Sequence, residues 1–358
     1  MTYLDANATE PLHHAACAAV LSALDMVGNP SSIHAAGRAA RRLLEGARED
    51  IAVRYGAEPA QVVFTSGGTE ANALAIAGLG RDRRRILGAT EHDAVRAACG
   101  ADALTVVVDH DGVIDLAALA ESLRGAPALV CLMLANNETG TLQPVAEAAA
   151  LCHRAGALLH VDAVQAAGRM RVNLGELGAD SLAVSGHKMG GPPGAGALLL
   201  APGQSLAPLI AGGGQERGRR GGTPGLPAIA GLAAAARETP RDLVTLRDRM
   251  ERAAIAAGAV ALATGAARLG NTASLALPGI RADTQVIALD LAGIAVSAGA
   301  ACSSGKVGPS HVLAAMGLGS LASQTIRVSL PWNTTEADID AFAAAYAAMA
   351  ARLARRAA

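Results

Sequence analysis

Lysine is almost missing from this chain. Of its thirty basic side chains only Lys188 and Lys306 are lysines, and the rest are arginines. Arginine is therefore the ordinary surface cation, and a lysine kept against that background suggests work a guanidinium cannot do. Imine formation is such work, because it needs an amine able to lose its proton. Aromatics are also scarce, at one Trp, three Tyr and two Phe. That argues against base-stacking surfaces for nucleic acid and leaves the core to Ala, Leu, Val and Ile. Neither sign of charge is in excess, with thirty Lys and Arg against thirty-one Asp and Glu. Nothing here points to nucleic acid or an anionic membrane, and the Arg81-Arg83-Arg84-Arg85 cluster reads as a solvated turn. No apolar run nears the roughly 20 residues that span a bilayer, and Met1 to Pro11 is too polar for a signal peptide. The five cysteines (Cys17, Cys99, Cys131, Cys152, Cys302) are odd in number and show no CxxC spacing. This argues against a disulfide framework or a zinc site and makes a reducing compartment, the cytoplasm, the expected location.

The 358 residues are long for one core and suit two domains. Short apolar runs alternate with helical patterns. Strands are expected over Val62–Thr65, Arg85–Ala89, Leu104–Asp109, Ala128–Ala135, Leu158–Asp162, Ser181–Ser185 and Gly196–Leu200. Helices are expected over Thr69–Leu79, Asp115–Arg124 and Pro144–Ala155, the last opening on a proline suited to a first turn. Several runs are continuously apolar, as in strands buried on both faces, so the pattern predicts an α/β fold with a mostly parallel sheet. Beyond Gly222 the character changes. One long Ala-rich helix is expected from Leu226 to Ala257, then strands at Asn271–Leu277, Ile294–Ser297 and Ile326–Ser329 and a last helix from Glu336. These form a smaller α+β unit that the first dozen residues join. The expected division is a large domain over 13–250 and a small one from 1–12 with 251–358.

Ligands of parallel sheets gather beyond the carboxyl ends of the strands, and there the chain concentrates its reactive groups. Asp162 ends one apolar run, with Gln165 three residues on, and Lys188 follows the next run in Ser185-Gly186-His187-Lys188. Pyridoxal phosphate needs such a pair: a lysine to hold its aldehyde and an acid to keep its ring nitrogen protonated. Thr65-Ser66-Gly67-Gly68-Thr69-Glu70 runs from strand into helix and offers N–H groups and a hydroxyl to a phosphate, or simply caps the helix. Gly212 to Thr223, rich in glycine and arginine, reads either as a flexible loop or as an anion clamp. His92, just past a strand end, could stack on a heteroaromatic ring in a chain with few other residues to do so. Cys302 sits among small polar residues beside Lys306, the setting of an accessible nucleophilic thiol on a mobile loop. The other cysteines read as packing residues.

The ordered string of motifs resembles the cysteine desulfurases, the NifS/IscS-like group of the class V aminotransferase family. It runs through Tyr3-Leu4-Asp5 with Asn7-Ala8-Thr9, Gly28-Asn29-Pro30-Ser31-Ser32 with His34, Ser66 to Glu70, and Thr90-Glu91-His92. It continues through Ala135-Asn136-Asn137-Glu138-Thr139-Gly140, His160 to Gln165, Ser185 to Lys188, Gly212 to Thr223, and Ala301-Cys302 with Pro309-Ser310-His311-Val312-Leu313. The resemblance implies a PLP-dependent transferase of fold type I, with a mostly parallel seven-stranded sheet in its large domain. It implies a homodimer that takes sulfur from L-cysteine as a persulfide and leaves L-alanine. By it, Lys188 forms the imine with pyridoxal 5'-phosphate and later moves protons, Asp162 faces the pyridinium nitrogen, Gln165 the phenolic oxygen, and His92 stacks on the ring. Gly68, Thr69, Ser185 and His187 hold the phosphate, with Thr223 reaching in from the partner subunit. Asn136 and Arg327 bind cofactor and substrate carboxylate, a task that suits an arginine fork on physical grounds too. Cys302 takes the sulfur and passes it to an acceptor protein, an iron–sulfur scaffold or another thiolation protein. A selenocysteine lyase or a transaminase would use the same cofactor residues, although transamination needs no such thiol; a non-catalytic sulfur-relay subunit would not need the set intact. No metal is implied. Gly190 and Pro193 replace bulkier family residues after the lysine, and the chain stops at Arg355-Arg356-Ala357-Ala358, short of the tail by which some relatives meet a scaffold.

Overall fold

The computed structural model describes residues 1–299 and 310–357. The chain opens with β1 (Thr2–Tyr3), α1 (His14–Leu24) and α2 (Ala35–Tyr55), then alternates strand and helix: β2 (Val62–Thr65), α3 (Gly68–Leu79), β3 (Arg84–Gly88), α4 (Asp93–Cys99), β4 (Leu104–Val106), α5 (Leu116–Ser122), β5 (Ala128–Met133), α6 (Val145–Arg154), β6 (Leu158–Asp162), α7 (Leu174–Leu177), β7 (Ser181–Ser185) and β8 (Gly196–Leu200). These strands form a seven-stranded sheet in the order β2-β8-β7-β6-β5-β3-β4, in which only β8 is antiparallel to its neighbours. All of β5, β7 and β8 is buried, which is why their sequences are unbroken apolar runs rather than alternating ones. The same direction in β2, β3, β5, β6 and β7 brings their carboxyl ends, Thr65, Gly88, Met133, Asp162 and Ser185, to one edge.

The second half continues with α8 (Leu226–Arg237), α9 (Val244–Ala256), β9 (Val260–Ala261), β10 (Thr272–Ala276), α10 (Ala282–Asp290), β11 (Ile294–Ala295), β12 (Ser297–Ala298), α11 (His311–Ala315), β13 (Thr325–Ser329) and α12 (Glu336–Ala357). A four-stranded antiparallel sheet runs β12-β13-β10-β9. Leu243, Met250 and Ala254 of the α9 region are buried with Leu275, Ile326, Phe342 and Tyr346 of this smaller unit. Strand β1 pairs with β11, and Asp5 bridges to Ser329, so the N-terminus joins it as well.

Two expectations need correction. The helix expected over Leu226–Ala257 is two helices, interrupted between Arg237 and Val244, where Pro240 has no N–H to give. The strand expected over Ile294–Ser297 divides at Val296: β11 pairs with β1 and β12 with β13, in different sheets. No helix among the described residues is long and apolar enough to cross a membrane.

Candidate active site

At the carboxyl edge of the large sheet lies a cavity of about 230 Å³. Nine of the residues singled out from the sequence line it: Gly68, Thr69, His92, Asp162, Gln165, Ser185, His187, Lys188 and Arg327. Each of the first eight follows or ends a strand of the large sheet, whereas Arg327 enters from β13 of the small one. A second cavity of about 250 Å³ shares Lys188 but none of the others; it holds no strand-end acid.

Lys188 Nζ donates to the carbonyls of Asn7 at 2.7 Å and Ala8 at 2.9 Å. The N-terminal segment therefore sets where the amine sits. Asp162 is buried, with Oδ1 accepting from the Val164 N–H at 2.9 Å and Oδ2 from Asn72 Nδ2 at 2.8 Å. Burial pushes its pKa up, while the Val164 N–H, His92, Asn72 and Lys188 pull it down. The Asn72 amide is itself oriented. Its Oδ1 lies 2.9 Å from His160 Nε2, and His160 Nδ1 lies 2.8 Å from Ser181 Oγ. Burial holds His160 neutral, with a pKa near 3; the Nε2–H then donates to Asn72 and the Ser181 hydroxyl to Nδ1. Three buried side chains and the Val164 N–H thus fix one carboxylate.

His160 carries a pH prediction. Its pKa is lowered on folding, so its stabilising contribution is complete above the unfolded value of 6.5. As pH falls below that, the unfolded chain takes up the proton first and stability declines by up to about 1.4 kcal/mol per pH unit. Glu138, raised to about 7 from 4.5, acts in the opposite sense, losing stability as pH rises through that window. His160→Gln should therefore flatten the acid limb of thermal unfolding midpoints recorded between about pH 4 and pH 7. An unchanged acid limb would show that His160 is not held neutral.

The anion end is built by α3. Its first residues Gly68 and Thr69 line the cavity, and the N–H groups of a helix start favour a negative group. Gly68 is needed for closeness, since a Cβ there would lie 2.6 Å from Val164 Cγ2. Beside it Ser185 Oγ is buried and has no protein partner among the described residues. His187 Nδ1 lies 3.2 Å from Thr9 Oγ1. Burial, then Lys188 and Arg169, lower its pKa to about 4, so it is neutral near pH 7.

His92 caps α4, its Nδ1 accepting from the Ala94 N–H at 3.1 Å. Gln165 donates from Nε2 to the Asn7 carbonyl at 3.0 Å and accepts at Oε1 from Arg169 at 3.0 Å. Arg169 is held by Glu10 at 3.1 Å, a buried pair that fixes the direction of the Gln165 amide. Arg327 reaches Asp5 Oδ1 at 2.7 Å and the Asn137 carbonyl at 3.1 Å, and its Nε has no protein partner among the described residues.

Asn136 does not line the cavity. Its Oδ1 accepts from the N–H groups of Glu138 (2.8 Å) and Thr139 (3.0 Å), and its Nδ2 donates to the Thr90 carbonyl at 3.2 Å. It thereby holds the turn whose neighbour, Asn137, does line it. Thr223 also lies apart, in a separate hollow with Thr65, Ser66 and Arg220. The loop around it is pinned: Glu216, at a left-handed φ of 48°, is buried against Arg48 at 2.7 Å, and Arg220 holds Glu70 at 2.7 Å. The loop is therefore held at Glu216 and Arg220 and is not loose there. Cys17, expected to pack, is exposed, while Cys99, Cys131 and Cys152 are buried. Cys302 and Lys306 lie outside the described residues.

Sequence reasoning about roles missed Asp5, Asn7, Asn72 and Glu138. Asp5, Asn7 and Glu138 sat inside quoted motifs, which was the available signal; Asn72, one turn into α3, had none.

Residues 2–342 match the model of the aminotransferase class-V family. The chain belongs to the aminotransferase class-V family. It is 45% identical to a cysteine desulfurase of Cereibacter sphaeroides over 94% of this chain and 92% of that one. It is 40% identical to an IscS-like cysteine desulfurase of Mycobacterium tuberculosis, covering 95% and 94%. Among solved structures, a NifS-like protein from Rickettsia africae superposes with a TM-score of 0.90 at 34% identity, covering 98% and 99%. A structure described as SspA in complex with cysteine superposes with a TM-score of 0.84 at 30% identity, covering 94% and 100%. The fold is that of the NifS-like type I PLP enzymes. Enzymes of this family depend on pyridoxal phosphate.

Proposed function

We propose that this chain is a cysteine desulfurase that holds pyridoxal 5'-phosphate between Lys188 and Asp162, moves the sulfur of L-cysteine to Cys302 and leaves L-alanine. The observation that carries this is the convergence of Lys188, the buried Asp162 and Arg327 on one cavity, which supplies amine, ring-nitrogen partner and carboxylate fork together. The residues fit the cofactor. The buried, unpartnered hydroxyl of Ser185 stands beside the start of α3, where it would donate to a phosphate, and Asp162 has donors on both oxygens that favour its ionised form against the burial that raises its pKa.

When bound, pyridoxal phosphate supplies an aldehyde for amine exchange and a ring that accepts the electron pair released at the substrate α-carbon. The protein does the rest. Lys188 Nζ, steered by the Asn7 and Ala8 carbonyls, would hold the cofactor and move the substrate α-proton. Arg327 binds the substrate carboxylate in place of Asp5, its present partner. His92, which lines the cavity with its Nδ1 occupied by the Ala94 N–H, would stack on the ring. The thiolate of Cys302 attacks the substrate sulfur: the S–S bond forms, the C–S bond breaks, and the electron pair stays on carbon, which is protonated to alanine.

Two copies complete the enzyme. Thr223 lies outside its own cavity, which suits service in the partner's, and Leu21, Leu24, Val27 and Ile33 are exposed apolar side chains that a second copy would cover. The two domains meet across the cavity, with α9 belonging by its packing to the small one. The enzyme works in the cytoplasm, and its persulfide goes to a sulfur-acceptor protein of iron–sulfur assembly or thiolation. Purified protein given L-cysteine and a reductant should absorb in the visible and yield equal sulfide and alanine. A colourless protein, or alanine without sulfide, would overturn the reading.

A further inference from the structure

Glu138 has no part in the site as described, yet it touches both ends of the segment that carries Cys302. We propose that Glu138 is a positioning residue for sulfur transfer: its carboxyl ties Gly299 and Ser310, the described shoulders of residues 300–309, to the turn that holds Arg327. The proposal rests on Cys302 being the sulfur acceptor.

The side chain is buried. Ser310 Oγ lies 2.5 Å from Glu138 Oε2 and accepts from the Leu313 N–H at 3.1 Å, so the hydroxyl proton is given to Glu138. On the other shoulder, the carboxyl packs so closely on Gly299 that a Cβ there would lie 2.6 Å from Oε2. A side chain at 299 would push the carboxyl away. At its root, the Glu138 N–H donates to Asn136 Oδ1, and the adjoining Asn137 carbonyl accepts from Arg327 at 3.1 Å. His311 adds a second tie, its Nε2 donating to the Glu91 carbonyl at 2.9 Å, next to His92. Glu138 and the turn it sits on therefore join Arg327, through the Asn137 carbonyl, to both shoulders.

The group also titrates where the enzyme would work. Burial raises its pKa to about 7, against the pull of the Ser310 hydroxyl, Arg327 from β13 and His92 from the start of α4, with Asp93 of α4 pushing it up.

The test uses the holoenzyme with Glu138→Ala, Glu138→Gln, Gly299→Ala and the double variant Glu138→Ala/Gly299→Ala. Single-turnover persulfide formation is read beside the absorbance change on adding L-cysteine, which reports substrate binding alone. Glu138→Ala should slow persulfide formation by about tenfold or more while the cysteine dependence of the absorbance change stays within about twofold. Gly299→Ala should slow the same step in the parent but add little in the Glu138→Ala background, because the atom it strikes is gone. Glu138→Gln, which still accepts from Ser310 but cannot ionise, should flatten the rate profile around pH 7. A lysine-specific protease gives a readout without turnover, since Lys306 and the half-buried Lys188 are its only sites; losing the Ser310 hydrogen bond should speed cutting after Lys306 by about fivefold. Parental persulfide rates in Glu138→Ala, independent effects of the two substitutions, or unchanged cutting after Lys306 would each overturn the proposal. If Glu138→Ala does not fold, an unmoved pH profile in Glu138→Gln together with a parental rate in Gly299→Ala does the same. Sulfide release that persists in Cys302→Ala would instead overturn the acceptor assignment, and cutting after Lys306 would still report the tie.

Discussion

Lys188→Ala should abolish turnover and the visible absorbance of a lysine-linked pyridoxal ring together. The expected loss of rate is at least about a thousandfold, since one residue supplies both the covalent partner and the proton carrier. Lys188→Arg is the sharper variant. Its guanidinium keeps the charge and can still donate to the Asn7 and Ala8 carbonyls that hold the lysine, but it cannot give up a proton to form an imine. Absorbance and activity should be lost in both. If Lys188→Arg keeps either, a cation and not an imine is what the site needs, and the cofactor assignment fails.

Cys302→Ala should separate what Lys188→Ala removes together. The cavity residues are untouched, so the protein should stay coloured and its spectrum should still respond to L-cysteine. Sulfide and alanine should fall to background, a loss of at least about a thousandfold, because no thiolate is left to take the sulfur. Cys17 is the control: it is the exposed cysteine among the four described, and Cys17→Ala should act as the parent does. Sulfur release that survives in Cys302→Ala and vanishes in Cys17→Ala would move the nucleophile to α1.

The two variants draw on different kinds of information. Lys188 and Asp162 could be placed from the sequence because each ends or follows a continuous apolar run, and adjacent parallel strands deliver their ends to one edge. That inference needs only local pattern and the rule of strand ends. Asn72 could not be found this way. It touches Asp162 across ninety residues of sequence, and its amide direction is set by His160 on the strand of Asp162 itself and Ser181 on the next. Nor could the pairing of Asp5 with Arg327, which spans 322 residues, because it depends on the N-terminus returning to the small sheet through β1 and Ser329. The loop from Gly212 to Thr223 misled for a related reason. Its glycines suggested freedom, but Arg48 and Glu70, far upstream, hold its Glu216 and Arg220.

The sequence by itself determined the fold class, the chemistry implied by two scarce lysines, and nine of the residues that meet in the cavity. Periodicity and motif order are properties of neighbouring residues, and they survive being read along a line. Only the tertiary structure decided what each group is bonded to, and so its charge. It placed the Lys188 amine on two N-terminal carbonyls, supplied both oxygens of Asp162 with donors, and buried Glu138 between Gly299 and Ser310 with a pKa near 7. Desolvation and long-range hydrogen bonds set those states, and neither exists until distant segments pack.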